Sequence, residues 1–229
     1  MTKQISFTLL IFLFTTSVLL GCYFKKGNNG TDASSEVSFE NDVSKILTSK
    51  CGTSGCHAGA TPQGGLNLNV DDSDLNTLYT SVMTEVNVDA PEESPLLAKA
   101  SNTETHTGGE VLATSSEDYQ TVLMWITDGA FNDNCEGVPH GFASDVTPIL
   151  TDRCTNSGCH DVTVPIFTSN AFENISGAKA INIDSPLMSS LLRKPLGLDS
   201  HTGGTIFPSK NDDYKTIYCW IKVDQAIDN

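Results

Sequence analysis

The sequence predicts a mainly α protein built from two tandem copies of one small domain, each with few helices and long loops. Three observations lead there. The stretch Phe39 to His57, FENDVSKILTSKCGTSGCH, lies ungapped over Phe142 to His160, FASDVTPILTDRCTNSGCH. The stretch His106 to Ile126, HTGGEVLATSSEDYQTVLMWI, lies ungapped over His201 to Ile221, HTGGTIFPSKNDDYKTIYCWI. A fixed internal similarity of this kind is the mark of a duplicated folding unit. Apolar residues in both stretches recur at helical spacing, and almost nothing alternates as a strand does.

Taken in order, residues 1–21 read as an export signal. One basic residue, Lys3, precedes an apolar run from Ile5 through Leu20 that closes on small residues. Its end, LLGC, resembles a bacterial lipoprotein lipobox, with Gly21 before the cut and Cys22 the acylated first residue of the mature chain. Residues 22–36 include the Gly- and Asn-rich run KKGNNGTDASSE, the composition of a flexible tether. The mature protein is therefore expected outside the cytoplasm on a lipid anchor, in a compartment that permits covalent cysteine chemistry. By analogy with enteric lipoprotein sorting, Tyr23 rather than Asp after Cys22 leans towards the outer membrane.

Domain 1, residues 37–134, opens with Phe39, Val43, Ile46 and Leu47 on one helix face. Its middle is loop-rich, with one short helix expected near Leu75 to Val82. SPLL at Ser94 is read as the counterpart of SPLM at Ser185. A last helix carries Tyr119, Val122, Leu123 and Ile126, with Ser115 or Ser116 as N-cap and acidic residues in its first turn. Residues 135–141 form a linker in which His140 is expected to be exposed. Domain 2, residues 142–229, repeats the first face as Phe142, Val146, Ile149 and Leu150, with Pro148 tolerable only in the first turn. It repeats the last as Tyr214, Ile217, Tyr218 and Ile221. Trp125 and Trp220 coincide and read as core. Two helices and long loops leave a thin core for each domain, so something else is expected to fill the middle.

The net charge of −15 excludes nucleic acid, since no basic stripe is present to meet phosphates. Cysteine and histidine carry the chemistry. Cys51, Cys56 and His57 repeat as Cys154, Cys159 and His160, each a Cys-x4-Cys-His. The closest signal is Cys-x-x-Cys-His, which attaches haem covalently through two thioethers and ligates its iron with the histidine. The loop here is two residues longer, but the second cysteine still adjoins the histidine. Two other readings remain at this point: disulfide loops with incidental histidines, or zinc held by Cys, Cys, His and a distant His.

Each unit resembles a small class I-type cytochrome c domain. The resemblance rests on FENDVSKILTSKCGTSGCH with WITDGA, and on FASDVTPILTDRCTNSGCH with WIKVDQA, and covers almost all of the mature chain. It implies haem c, two per chain, with Cys51, Cys56, Cys154 and Cys159 as thioether positions. HTGG stands where such domains carry a distal methionine. The methionines do not align between the copies: Met83 falls opposite about Ser176, Met124 opposite Cys219, and Met188 opposite Leu97. His106 and His201 do align, so the expected axial pairs are His57 with His106 and His160 with His201. Of seven cysteines, Cys135 and Cys219 are left over, and an exported protein suggests a bridge between them. The implied function is electron transfer between redox partners with basic docking faces rather than catalysis. The alternatives are a cofactor-free envelope lipoprotein held by disulfides, or a di-haem peroxidase-like enzyme.

Overall fold

The computed structural model describes residues 37–69 and 74–228, so the export signal, Cys22 and the whole tether lie outside the described residues. The described chain is mainly helical. Phe39–Val43 forms a wide π-type turn that runs directly into α1 (Ser44–Lys50). There follow α2 (Leu75–Met83), α3 (Pro95–Ala100) and α4 (Glu117–Thr127). The second half repeats the order with a wide turn at Phe142–Val146, then α5 (Thr147–Cys154), α6 (Ala171–Gly177), α7 (Ser190–Arg193) and α8 (Asp212–Val223). Among the described residues there is no strand, and no helix is long and apolar enough to cross a membrane.

Local chemistry sets the ends of these elements in the same way twice. Asp42 and Asp145 accept the backbone N–H of Ser38 and Gly141, at 3.0 and 2.8 Å, which satisfies donors orphaned at a helix start. Ser116 and Asn211 cap α4 and α8 by accepting the N–H of Tyr119 and Tyr214. Pro148 sits in the first turn of α5, where its missing N–H costs nothing. After each last helix the chain turns sharply at Ala130 and Ala226, with φ of 50° and 54°. That reversal brings the carbonyls of Phe131 and Ile227 onto the indole N–H of Trp125 and Trp220, at 3.0 and 2.8 Å. Both tryptophans are otherwise enclosed by apolar neighbours.

Two apolar cores result. The first runs from Phe39 to Ala130 and the second from Phe131 to Ala226. Phe131 belongs with the second half: its ring meets Tyr214 and Tyr218 edge-on at 5.4 and 5.2 Å. The segment that follows ties the halves together. Buried Asp133 accepts from the Ser38 hydroxyl and the Glu40 N–H, while Lys222 of α8 reaches Glu40 and the Asp133 carbonyl. Cys135 is disulfide-bonded to Cys219, with Cα atoms 5.5 Å apart. His140 is not an exposed linker residue. Its Nδ1 lies 2.9 Å from the Asp224 carboxylate and it is largely covered, because the linker packs along the end of α8.

The middles hold more helix than the sequence pattern predicts. α2 appears as expected, but α3, α6 and α7 are too short for a periodic signal. The equivalence of SPLL with SPLM is also displaced. The buried Ser94 hydroxyl bonds the Asn87 N–H and carbonyl, and buried Ser189 does the same at Asn182, so Ser94 corresponds to Ser189 rather than Ser185. In that register Met188 falls opposite Glu93, not Leu97. It still has no methionine counterpart.

Candidate functional site

Each half assembles one site from two loops hung on the helices. The first loop follows α1 or α5. The N–H of His57 returns to the Cys51 carbonyl at 3.2 Å, and that of His160 to Cys154 at 3.1 Å, closing the Cys-x4-Cys-His loop. The turn is possible because Gly55 and Gly158 take φ of 84° and 85°, a region open to glycine without strain. The histidine carbonyl then accepts the N–H of Leu68 or Phe167, both buried, so the loop is pinned to its core.

The second loop holds the other histidine. It leaves α3 or α7 and comes back to it: the Ala100 carbonyl accepts the N–H groups of Val111 and Leu112, and the Pro195 carbonyl those of Ile206 and Phe207. Between these anchors lies HTGG, whose two glycines do different jobs. A Cβ on Gly108 or Gly203 would stand 2.9 Å from Cε1 of His106 or His201, so the first glycine makes room for the imidazole itself. Gly109 and Gly204 have φ of 68° and 70° and turn the chain.

The structure brings the histidines together in the expected pairs. The rings of His57 and His106 have centroids 6.0 Å apart and are within 6° of parallel. Those of His160 and His201 are 6.1 Å apart and within 9°. All four are half-buried. In every case Nδ1 meets backbone carbonyls: His57 those of Gln63 and Leu66, His106 that of Gly109, His160 those of Thr163 and Pro165, His201 that of Gly204. A carbonyl only accepts, so Nδ1 carries the proton and Nε2 keeps its lone pair. This is the tautomer in which ligating histidines are held. A metal ion bound between two imidazoles sits about 2 Å from each nitrogen, which with the ring radii puts the centroids about 6 Å apart.

Cys51, Cys56, Cys154 and Cys159, in the loops that end on His57 and His160, are free thiols. Burial, and secondarily the neighbouring Cys56, pushes the Cys51 thiol up to about 11. Cys154 is pushed to about 11 by burial and then by Cys159, with Arg153 opposing. In the second half a cavity of about 440 Å³ is lined by Cys154, Cys159, His160 and His201 together. Its apolar wall includes Leu150, Phe167, Phe207 and Ile217, and the volume is within the range of cofactor pockets. Leu47, Leu68, Leu112 and Val122 occupy the matching positions of the first half, all buried. Among the described residues no three His, Cys, Asp or Glu side chains gather as a metal cage, so the tetrahedral Cys, Cys, His, His set is not assembled.

No protein-family model, curated protein or solved structure matches the chain.

Proposed function

We propose that this chain is a di-haem c-type cytochrome, an exported, lipid-anchored electron-transfer protein with bis-histidine ligation at both irons. The observation that carries the reading is the twice-repeated pair of parallel imidazoles about 6 Å apart, each with Nδ1 on a carbonyl and Nε2 free. Two imidazoles per site supply only two donors. The rest of a coordination sphere has to come from the bound group, and a haem brings four in-plane nitrogens. The cysteines support the same group. Each S–H would add across a vinyl C=C of that group, with one C–S bond formed and the hydrogen placed on the other vinyl carbon, so no oxidant would be needed. Free thiols held beside His57 and His160 suit that addition, and the apolar wall suits a flat hydrophobic macrocycle.

Haem supplies a one-electron Fe(III)/Fe(II) couple when bound. The chain does the rest. His57, His106, His160 and His201 hold their tautomer and ring plane through backbone carbonyls, which strengthens them as ligands. Two histidines at each iron leave no position for peroxide or oxygen, which favours a carrier over a peroxidase-like enzyme. Imidazole in place of a thioether lowers the potential relative to Met/His ligation. Cys22 is the proposed lipid site, and the acidic surface suits a redox partner with a basic docking face.

The test is the intact mass and visible spectrum of mature protein from a host with c-type haem maturation. Two covalent haems, a low-spin spectrum and no change with carbon monoxide or cyanide are expected. A colourless protein would refute the reading. A haem protein that binds carbon monoxide would replace the carrier by an enzyme.

A further inference from the structure

The two sites are alike in what usually sets an iron's potential. Ligand identity is the same, and so are the hydrogen bonds behind the ligands, since every imidazole donates to a backbone carbonyl. What remains is the charge and dryness of the surroundings, and here the halves diverge. Residues 37–130, the span of the first core, carry 14 Asp and Glu against 3 Lys, whereas residues 131–229 carry 12 against 7 Lys and Arg. The net charge is therefore −11 in the first half and −5 in the second.

Close to the ligands the sites differ in how their charges are paired rather than in their sum. Around the first site Lys50 and Lys99 face Asp118 and Glu104 in ion pairs, and Glu110 follows HTGG directly. Around the second, Arg153 pairs with both Asp213 and Asp152 and Arg193 with Asp199, while Thr205 replaces that glutamate. Lys194, in the place of Lys99, lines the cavity with no ion pair among the described residues. Asp161, beside His160 where the first half has Ala58, works the other way and offsets one of these cations. The balance is two cations to three carboxylates at the first site and three to four at the second, so what distinguishes the second locally is the unpaired Lys194 on the cavity wall. The second wall is also bulkier and more apolar. Phe167, stacked 4.5 Å from the His160 ring, replaces Leu68; Phe207 replaces Leu112; Ile217 replaces Val122. Less negative charge over the half and a bulkier apolar wall both disfavour the more positive, oxidised iron.

We propose that the two sites are redox-inequivalent, and that a chain holding one electron holds it in the second half. This rests on the bis-histidine haem reading. Transfer between the sites oxidises the first-half iron from Fe(II) to Fe(III) and reduces the second-half iron from Fe(III) to Fe(II), with no proton or atom moved. The first half is then the side that receives electrons and the second the side that delivers them.

The test is a mediated redox titration of the full haem-loaded chain, followed by visible and electron paramagnetic resonance spectra, on wild type and two exposed charge variants. Two one-electron waves are expected. Lys194→Glu lowers the upper wave and leaves the lower in place; Glu110→Lys raises the lower wave and leaves the upper. The gap narrows as salt screens the exposed charges, over a Debye length of about 8 Å at 0.15 M. Coincident waves, or a Lys194→Glu variant that shifts the lower wave, would overturn the proposal while leaving haem binding intact. A colourless protein would instead remove the haem reading and this inference with it.

Discussion

Replacing Gly108 or Gly203 with alanine separates the site from the fold. A Cβ there would lie 2.9 Å from an imidazole carbon, against about 3.5–4.0 Å for an ordinary contact, so something has to yield by more than half an ångström. Neither glycine has a positive φ, so alanine is free of backbone strain. The element that yields is the ring, held at its Nδ1 by a single hydrogen bond to Gly109 or Gly204, at 3.3 and 3.0 Å. Losing that bond costs about 1 kcal/mol. Against this, alanine reduces the entropy of the unfolded chain by about 0.4–1 kcal/mol. Folding stability should therefore change by less than about 1 kcal/mol. Ligand geometry should suffer far more, with the haem-loaded variants partly high-spin and newly able to bind carbon monoxide. Denaturant unfolding of the haem-free protein measures the first, and visible and electron paramagnetic resonance spectra the second. Unchanged low-spin spectra in both variants would refute the assignment of His106 and His201 as ligands held by this turn.

Removing the Cys135–Cys219 bridge as a double serine variant opens a loop with a sequence separation of 84, which the chain-entropy treatment values at about 4–5 kcal/mol. Urea midpoints with and without reductant should show it, and a midpoint insensitive to reductant in wild type would deny the bridge. Since Cys51 and Cys154 titrate near 11 in the folded chain, above the ordinary 9.0, the folded state holds more protons than the unfolded between those values. Their contribution to stability is thus fully present below about pH 9 and falls as pH rises towards 11. Unfolding of the haem-free protein at pH 8 and pH 10 tests this, with serine variants at both positions expected to flatten the difference. Asp133→Ala should destabilise by about 1–3 kcal/mol, since it removes the carboxylate that accepts from the half-buried Ser38 hydroxyl and the Glu40 N–H at the junction of the halves. A loss under 0.5 kcal/mol in thermal or urea unfolding would show the junction to be wet.

The chain by itself determined the helical class, the α1/α5 and α4/α8 faces and the pairing of histidines. Each of these is a periodic or repeated signal: Phe39, Val43 and Leu47 recur as Phe142, Val146 and Leu150, and HTGG recurs unbroken. The capping serine, the place of Pro148 and the burial of both tryptophans follow from rules that act within a few residues. What the tertiary structure decided acts over longer separations. The helices α3, α6 and α7 are too short to show a period; α3 and α7 start where Ser94 and Ser189 hold the chain at Asn87 and Asn182, and in α6 Asn174 donates to the carbonyls of Ile166 and Ser169. The true register between the copies appears only in those shared hydrogen bonds. Phe131 joins the second core, and His140 is covered by Asp224, because the linker lies against α8 instead of standing in water. The reason for the first glycine of HTGG is a contact with an imidazole only two residues away, yet it shows only in the folded turn that brings the ring back over the backbone. Repetition and periodicity travel along the chain and are legible in it; which surfaces the two copies share is settled only when they pack.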